Sequence, residues 1–197
     1  MLKLLSFPRI PDDIVSQIRS DADLIWTTND PFPNTEFMEA YGNSSNENFI
    51  ERFVDPAYVN EELHQFVKGV LGLPSVRFGL ILMKNAGTTP AIFPAHTDYF
   101  RNLGLNVLLT DGGGNVETST YKTPVSHTTG KLAYWQESQL TLTDTKVIKE
   151  GEWYAFNAQA PHGIKNIETK RLVLMIFPFS FNITFDKFTE FYKGYIR

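Results

Sequence analysis

The chain contains no cysteine, which removes disulfides, thiolate zinc sites and cysteine nucleophiles together. No apolar run approaches the roughly 20 residues that a transmembrane helix requires. The apolar part of Met1-Leu2-Lys3-Leu4-Leu5-Ser6-Phe7-Pro8 is too short for a secretory leader. A soluble, cytoplasmic protein that does not engage a membrane is the resulting expectation. Low-complexity tracts are missing, and so is any basic excess: 18 Lys+Arg stand against 22 Asp+Glu, a formal charge of −4, with the basic residues scattered. That balance argues against a dedicated nucleic-acid surface. What is present is 197 residues, 42% hydrophobic and 14% aromatic, enough for one compact domain with a full core.

Residues 2–7 read as a strand closed by Pro8 and Pro11. A short helix is expected from Asp12 or Asp13 through about Arg19, with Ile14, Val15 and Ile18 on one face. Residues 27–48, rich in Asn, Pro, Thr and Ser, read as an irregular excursion suited to covering a site. Asp55-Pro56 has the form of a helix start. Val59, Leu63, Phe66, Val67 and Val70 follow at helical spacing, and Gly72 supplies the stop. From Val76 the texture changes to short strands, expected over 76–83, 91–95, 103–110, 115–122, 131–136, 145–149, 153–157, 162–166 and 171–179. A turn is expected at Asp111-Gly112-Gly113-Gly114-Asn115, and a short terminal helix over 185–192. Many short strands at close spacing favour a sandwich or barrel over a parallel α/β sheet.

His96-Thr97-Asp98 carries the chemistry. In an extended strand residues i and i+2 point to one side, so an imidazole and a carboxylate aim at a common point. His162, in Ala160-Pro161-His162-Gly163, offers a second imidazole from a distant strand. Pro161 fixes the preceding backbone and Gly163 permits close approach of another group. Two imidazoles and one carboxylate make a face that suits Fe(II) and leaves coordination positions open. Arg171 opens the apolar strand Leu172-Val173-Leu174-Met175-Ile176-Phe177 and is drawn inward with it. A buried Arg needs an anionic partner, either a core carboxylate such as Glu152 or a bound ligand. Folding the chain back near Asn166-Ile167 places 162 and 171 opposite each other on neighbouring strands of a hairpin.

The order His-x-Asp, a 64-residue interval, His, then Arg nine residues on resembles the Fe(II)- and 2-oxoglutarate-dependent oxygenases over about residues 91–180. The flanks His96-Thr97-Asp98-Tyr99-Phe100-Arg101 and Leu105-Asn106-Val107-Leu108-Leu109 are similar to those of small stand-alone members, including aspartyl-hydroxylase-like and phage-encoded proteins. The resemblance implies a mainly β fold, a double-stranded β-helix (a cupin-like jelly roll) with N-terminal flanking helices. Within a single domain, residues 1–75 would form a flank, 76–180 the core and 181–197 an extension. It implies that His96, Asp98 and His162 hold Fe(II) and that Arg171 grips the far carboxylate of 2-oxoglutarate. O2 would be consumed, succinate and CO2 released, and a small molecule or protein side chain hydroxylated.

One departure stands out: two residues after the Arg, where many members carry Ser or Thr, this chain has Val173. Asn106 and Tyr121 are the candidates to share the carboxylate. Arg101 is a candidate substrate or cosubstrate contact, or else a solvated loop charge. The rival readings are a cupin-like metalloenzyme without 2-oxoglutarate and a noncatalytic jelly-roll module. Asn157 and Gln159 are candidates to orient a ligand. Trp135, Trp153, Tyr134 and Phe156 read as core, His64 as a solvated surface residue, His127 as exposed in its loop, and the 121–130 region as part of a substrate pocket.

Overall fold

A computed structural model of the protein describes residues 1–27, 49–73, 75–85, 89–98, 101–123, 133–178 and 183–197. The expected cover at 28–48, the pocket segment 124–130 with His127, and the Tyr99-Phe100 pair lie outside the described residues. The strands are β1 (Leu2–Leu5), β2 (Phe49–Tyr58), β3 (Val76–Asn85), β4 (Ala91–Thr97), β5 (Leu103–Asp111), β6 (Glu117–Lys122), β7 (Ala133–Tyr134), β8 (Thr141–Val147), β9 (Trp153–Asn157), β10 (His162–Ile167) and β11 (Arg171–Pro178). The described α-helices are α1 (Asp12–Thr27), α2 (Glu61–Leu71) and α3 (Phe185–Phe191).

All strand pairings are antiparallel. The larger sheet runs β1-β9-β5-β11-β3-β2 and the smaller β7-β4-β10-β6-β8. Four strands of each sheet form the eight-stranded jelly roll of a double-stranded β-helix, with the chain passing back and forth between sheets. β1 and β2 extend the larger sheet at its two edges, and β7 extends the smaller.

Period-2 alternation divides each central strand between two cores. On β11, Leu172, Leu174 and Ile176 join an outer layer with Ile14 and Ile18 of α1, Leu63 and Val67 of α2, and Phe185 and Phe188 of α3. Val173, Met175 and Phe177 face the other way, toward Phe93 and Ile164 of the smaller sheet. Arg171 is in phase with this second row. The helices thus cover the back of the larger sheet and leave the space between the sheets for the site.

Three local expectations are corrected. Asp55-Pro56 does not start a helix; it lies in β2, where the register against β3 shifts between Val54 and Tyr58. Pro is tolerated there because β2 is an edge strand and the ladder is interrupted. The helix starts instead at Asn60, whose Oδ1 accepts from Leu63 N at 2.9 Å, and Val59 is 84% exposed. Gly72 ends α2 as expected, in the left-handed region at φ 64°. Of the strand expected over 131–136, only 133–136 are described: strand β7 ends at Tyr134, and a single 3-10 turn, Glu137–Gln139, follows.

The third correction concerns His162 and Arg171. They are not on paired strands: β10 pairs with β4 and β6, and β11 with β3 and β5. The turn between them crosses from one sheet to the other, with Glu168 N and Thr169 N both donating to Gly112 O at 2.8 Å.

Candidate metal centre

β4 and β10 bring the two histidines together directly, His162 standing opposite His96 in the ladder. The register then shifts before Ile164 meets Phe93, which leaves Pro94, with no N–H to lose, in the irregular stretch. Gly163 fits because a Cβ there would press on Phe93 O at 3.0 Å and Ala95 N at 3.1 Å. Asp98 follows β4 and is anchored by its own N–H, which donates to Ala158 O at 2.9 Å. Gln159 completes the brace: its Nε2 donates to Asp98 O at 3.0 Å and to Arg101 O at 2.7 Å. Asn157, by contrast, accepts from Gln159 N and serves the turn.

One donor atom from each of His96, Asp98 and His162 lies within 4.8 Å of the others, and all three residues are buried. The Nδ1 of His96 is 3.0 Å from Pro94 O, and that of His162 is 3.0 Å from Ala160 O. A carbonyl can only accept, so each Nδ1 carries a proton, and it is the Nε2 of each ring that is left to offer a lone pair to a metal. Both Nε2 atoms sit 3.5 Å from Asp98 Oδ1. With both Nε2 atoms unprotonated, three acceptor lone pairs face one another among buried side chains, an arrangement that a cation between them relieves. Burial, and then the proximity of His96, lower the His162 pKa, which keeps the ring in its ligating form. Burial is the largest single influence on the Asp98 carboxyl and would raise it, but the Arg101 guanidinium together with His162 and His96 overcomes it and holds the group well below the usual carboxylate range. Phe93 packs on His96 and Phe156 on His162, ring centroids 4.5 Å apart in each pair, and exclude water from that side.

Gly104, on the inner face of β5, makes room for this collar, since a Cβ there would collide with the Phe156 ring. Gly104→Ala is expected to cost about 1–3 kcal/mol by overpacking. Chemical denaturation would measure the loss, and Phe156→Leu in the same chain should recover part of it.

Arg171 is fully buried, 0% exposed. Its Nη1 donates to Asp111 O at 2.7 Å and its Nη2 to Thr118 Oγ1 at 3.3 Å. Its Nε has no hydrogen-bond partner. Burial lowers its pKa, against the opposing influence of the neighbouring Tyr154 hydroxyl and of Asp111, yet a guanidinium stays charged. No carboxylate among the described residues forms an ion pair with it. Glu152, the core partner considered from the sequence, pairs with Arg197 at 3.2 Å.

The remaining candidates separate. Asn106 faces the interior but accepts from Arg101 Nη1 at 3.2 Å rather than meeting Arg171. Tyr121 lies on the outer side of β6, its hydroxyl donating to Glu137 at 3.1 Å beside Lys165. Arg101 is no solvated loop charge: it is buried and pairs with Asp98. Trp153 and Phe156 are core, whereas His64 is half-buried with its ring edge-on to Phe78. Thr118 and Tyr154, which sequence reasoning passed over, are the residues beside Arg171. Thr118 faces inward opposite Ile164, two residues from the Thr120–His162 pair.

No protein-family model matches the chain, and no curated protein matches it. Among solved structures it is similar to a prolyl-4-hydroxylase from Pseudomonas putida, at 14% identity and TM-score 0.43 over 89% of this chain and 90% of that one. It is also similar to AviO1 from Streptomyces viridochromogenes Tue57, at 13% identity and TM-score 0.47 over 89% of each chain. The vicilin of Corylus avellana aligns at 11% identity and TM-score 0.36 over 68% of this chain, which spans only 29% of that protein. Overlaps this loose bear on neither metal nor substrate.

Proposed function

We propose that this protein is an Fe(II)- and 2-oxoglutarate-dependent oxygenase acting as a hydroxylase. In this reading His96, Asp98 and His162 hold the metal, and Arg171 receives the far carboxylate of the cosubstrate with Thr118 and Tyr154 beside it. The carrying observation is Arg171: a wholly buried cation without a carboxylate partner among the described residues, its Nε unsatisfied, between the same two sheets as the triad. Such a group is costly unless an anion arrives. The donor set fits the metal, since two neutral imidazoles and one carboxylate suit Fe(II) and occupy one side only.

When bound, Fe(II) with 2-oxoglutarate and O2 supplies the oxidising power, yielding succinate, CO2 and one oxygen atom for a substrate C–H bond. The chain's own work is placement and exclusion. Thr118 stands opposite Ile164, two residues along β10 from His162, or about 7 Å, which suits a short dicarboxylate gripped at its far end. Val173 and Met175 wall the space with apolar surface. The substrate, a small molecule or a protein side chain, meets the open side of the three-residue face. No helix among the described residues is long and apolar enough to cross a membrane.

Anaerobic titration with Fe(II) and then 2-oxoglutarate tests the reading. A visible charge-transfer band of the chelate is expected, and folded protein that never develops it sinks the proposal.

A further inference from the structure

Arg101 is 7% exposed although it stands in the connection between β4 and β5. Its Nε donates to Asp98 Oδ2 and its Nη1 to Asn106 Oδ1 on β5 at 3.2 Å. Its guanidinium carbon lies 5.6 Å from the Phe156 ring centroid on β9 and 5.9 Å from that of Phe177 on β11. Its main-chain carbonyl is held by Gln159, which holds that of Asp98 as well. Three strands and one turn therefore fix a side chain that reaches the far oxygen of a candidate ligand, while both histidines face the near one.

We infer that Arg101 is a positioning residue for the metal centre: it occupies Asp98 Oδ2 and aims Oδ1 at the convergence point of His96 and His162, so the site is shaped before a cation arrives. This rests on the metal-binding reading above. It also assigns Arg101 a task other than substrate contact, since its Nε and Nη1 are already directed at Asp98 and Asn106. A carboxylate bound through one oxygen leaves more positions open than one bound through two.

Two effects of the guanidinium oppose each other, and that makes the inference testable. Its charge repels an incoming divalent cation, so if charge alone mattered its removal would tighten binding. Its orienting role predicts the reverse, a loss of about 10–100-fold, as is usual for partners that orient metal ligands. The experiment is Co(II) titration of the full chain by calorimetry and visible absorption, for the wild type, Arg101→Ala, Arg101→Lys and Asn106→Ala.

Arg101→Ala is expected to bind Co(II) about 10–100-fold more weakly, with altered d–d bands because Asp98 is free to use both oxygens. Arg101→Lys keeps the charge but not the planar fork, and its affinity is expected to fall between the two. Asn106→Ala, which loosens Arg101 without touching Asp98, is expected to shift in the same direction by less. Unchanged or tighter binding by Arg101→Ala overturns the inference. Should that variant fail to fold, wild-type affinity in both other variants overturns it instead. A wild-type protein that binds no Co(II) brings down the metal reading and this inference with it, a result distinct from normal binding in all four proteins.

Discussion

Asp98→Ala is expected to weaken divalent-metal binding by at least about 100-fold, beyond the loss typical of a residue that merely orients a ligand, and to abolish turnover. The two imidazoles that remain bring no negative charge as ligands, and the carboxylate oxygen 3.5 Å from both Nε2 atoms is gone. The same substitution strands Arg101. Removing one partner of a buried ion pair costs about 3–5 kcal/mol, so the metal-free variant should melt well below the wild type.

That second effect has a defined pH dependence. The Asp98 carboxyl is held below its ordinary value in the folded protein. The pair's contribution is therefore complete above the unfolded-state value of about 4 and fades as pH falls through the depressed one. Denaturant titrations of both proteins at neutral and strongly acidic pH would show the gap closing on the acid side. A gap that widened there would contradict the assignment, and Co(II) titration reads the metal effect separately.

Much of this was legible in local sequence, and the failures share one cause. The i, i+2 relation of His96 and Asp98, the close approach at Gly163 and the inward phase of Arg171 are short-range properties of strands. The hairpin expected between His162 and Arg171 failed because both edges of β10 are taken by β4 and β6, and both edges of β11 by β3 and β5. A polar turn at Glu168-Thr169-Lys170 reads alike whether it reverses within a sheet or crosses to the other one. Asp55-Pro56 failed in the same way: a correct local cap signal was overridden by pairing with β3. Thr118 went unnoticed because a Thr-Ser-Thr run announces nothing until the facing sheet puts an arginine against it. Arg101, a loop charge by composition, is buried by Phe156 and Phe177 from strands more than 50 residues away.

Arg171→Met separates the leading reading from a cupin-like metalloenzyme with the same three ligands, because it divides two properties that a merely structural arginine would lose together. The methionine keeps most of the volume and removes a fully buried charge. Relief of that desolvation, several kcal/mol for an ion, offsets the loss of the hydrogen bonds to Asp111 O and Thr118 Oγ1, each about 1.5–3 kcal/mol for a charged donor. Stability is therefore expected to change by no more than about 1–2 kcal/mol, and Co(II) affinity hardly at all, since Arg171 touches none of the three ligands. Cosubstrate binding should collapse: truncating one side of a buried, hydrogen-bonded charge pair costs about 2–5 kcal/mol, roughly 30-fold or more in affinity. Anaerobic 2-oxoglutarate titration of the Fe(II)-loaded variant would then show no charge-transfer band at concentrations that saturate the wild type. A variant that keeps the band places the carboxylate anchor elsewhere; one that loses metal and fold together returns Arg171 to an ordinary structural role.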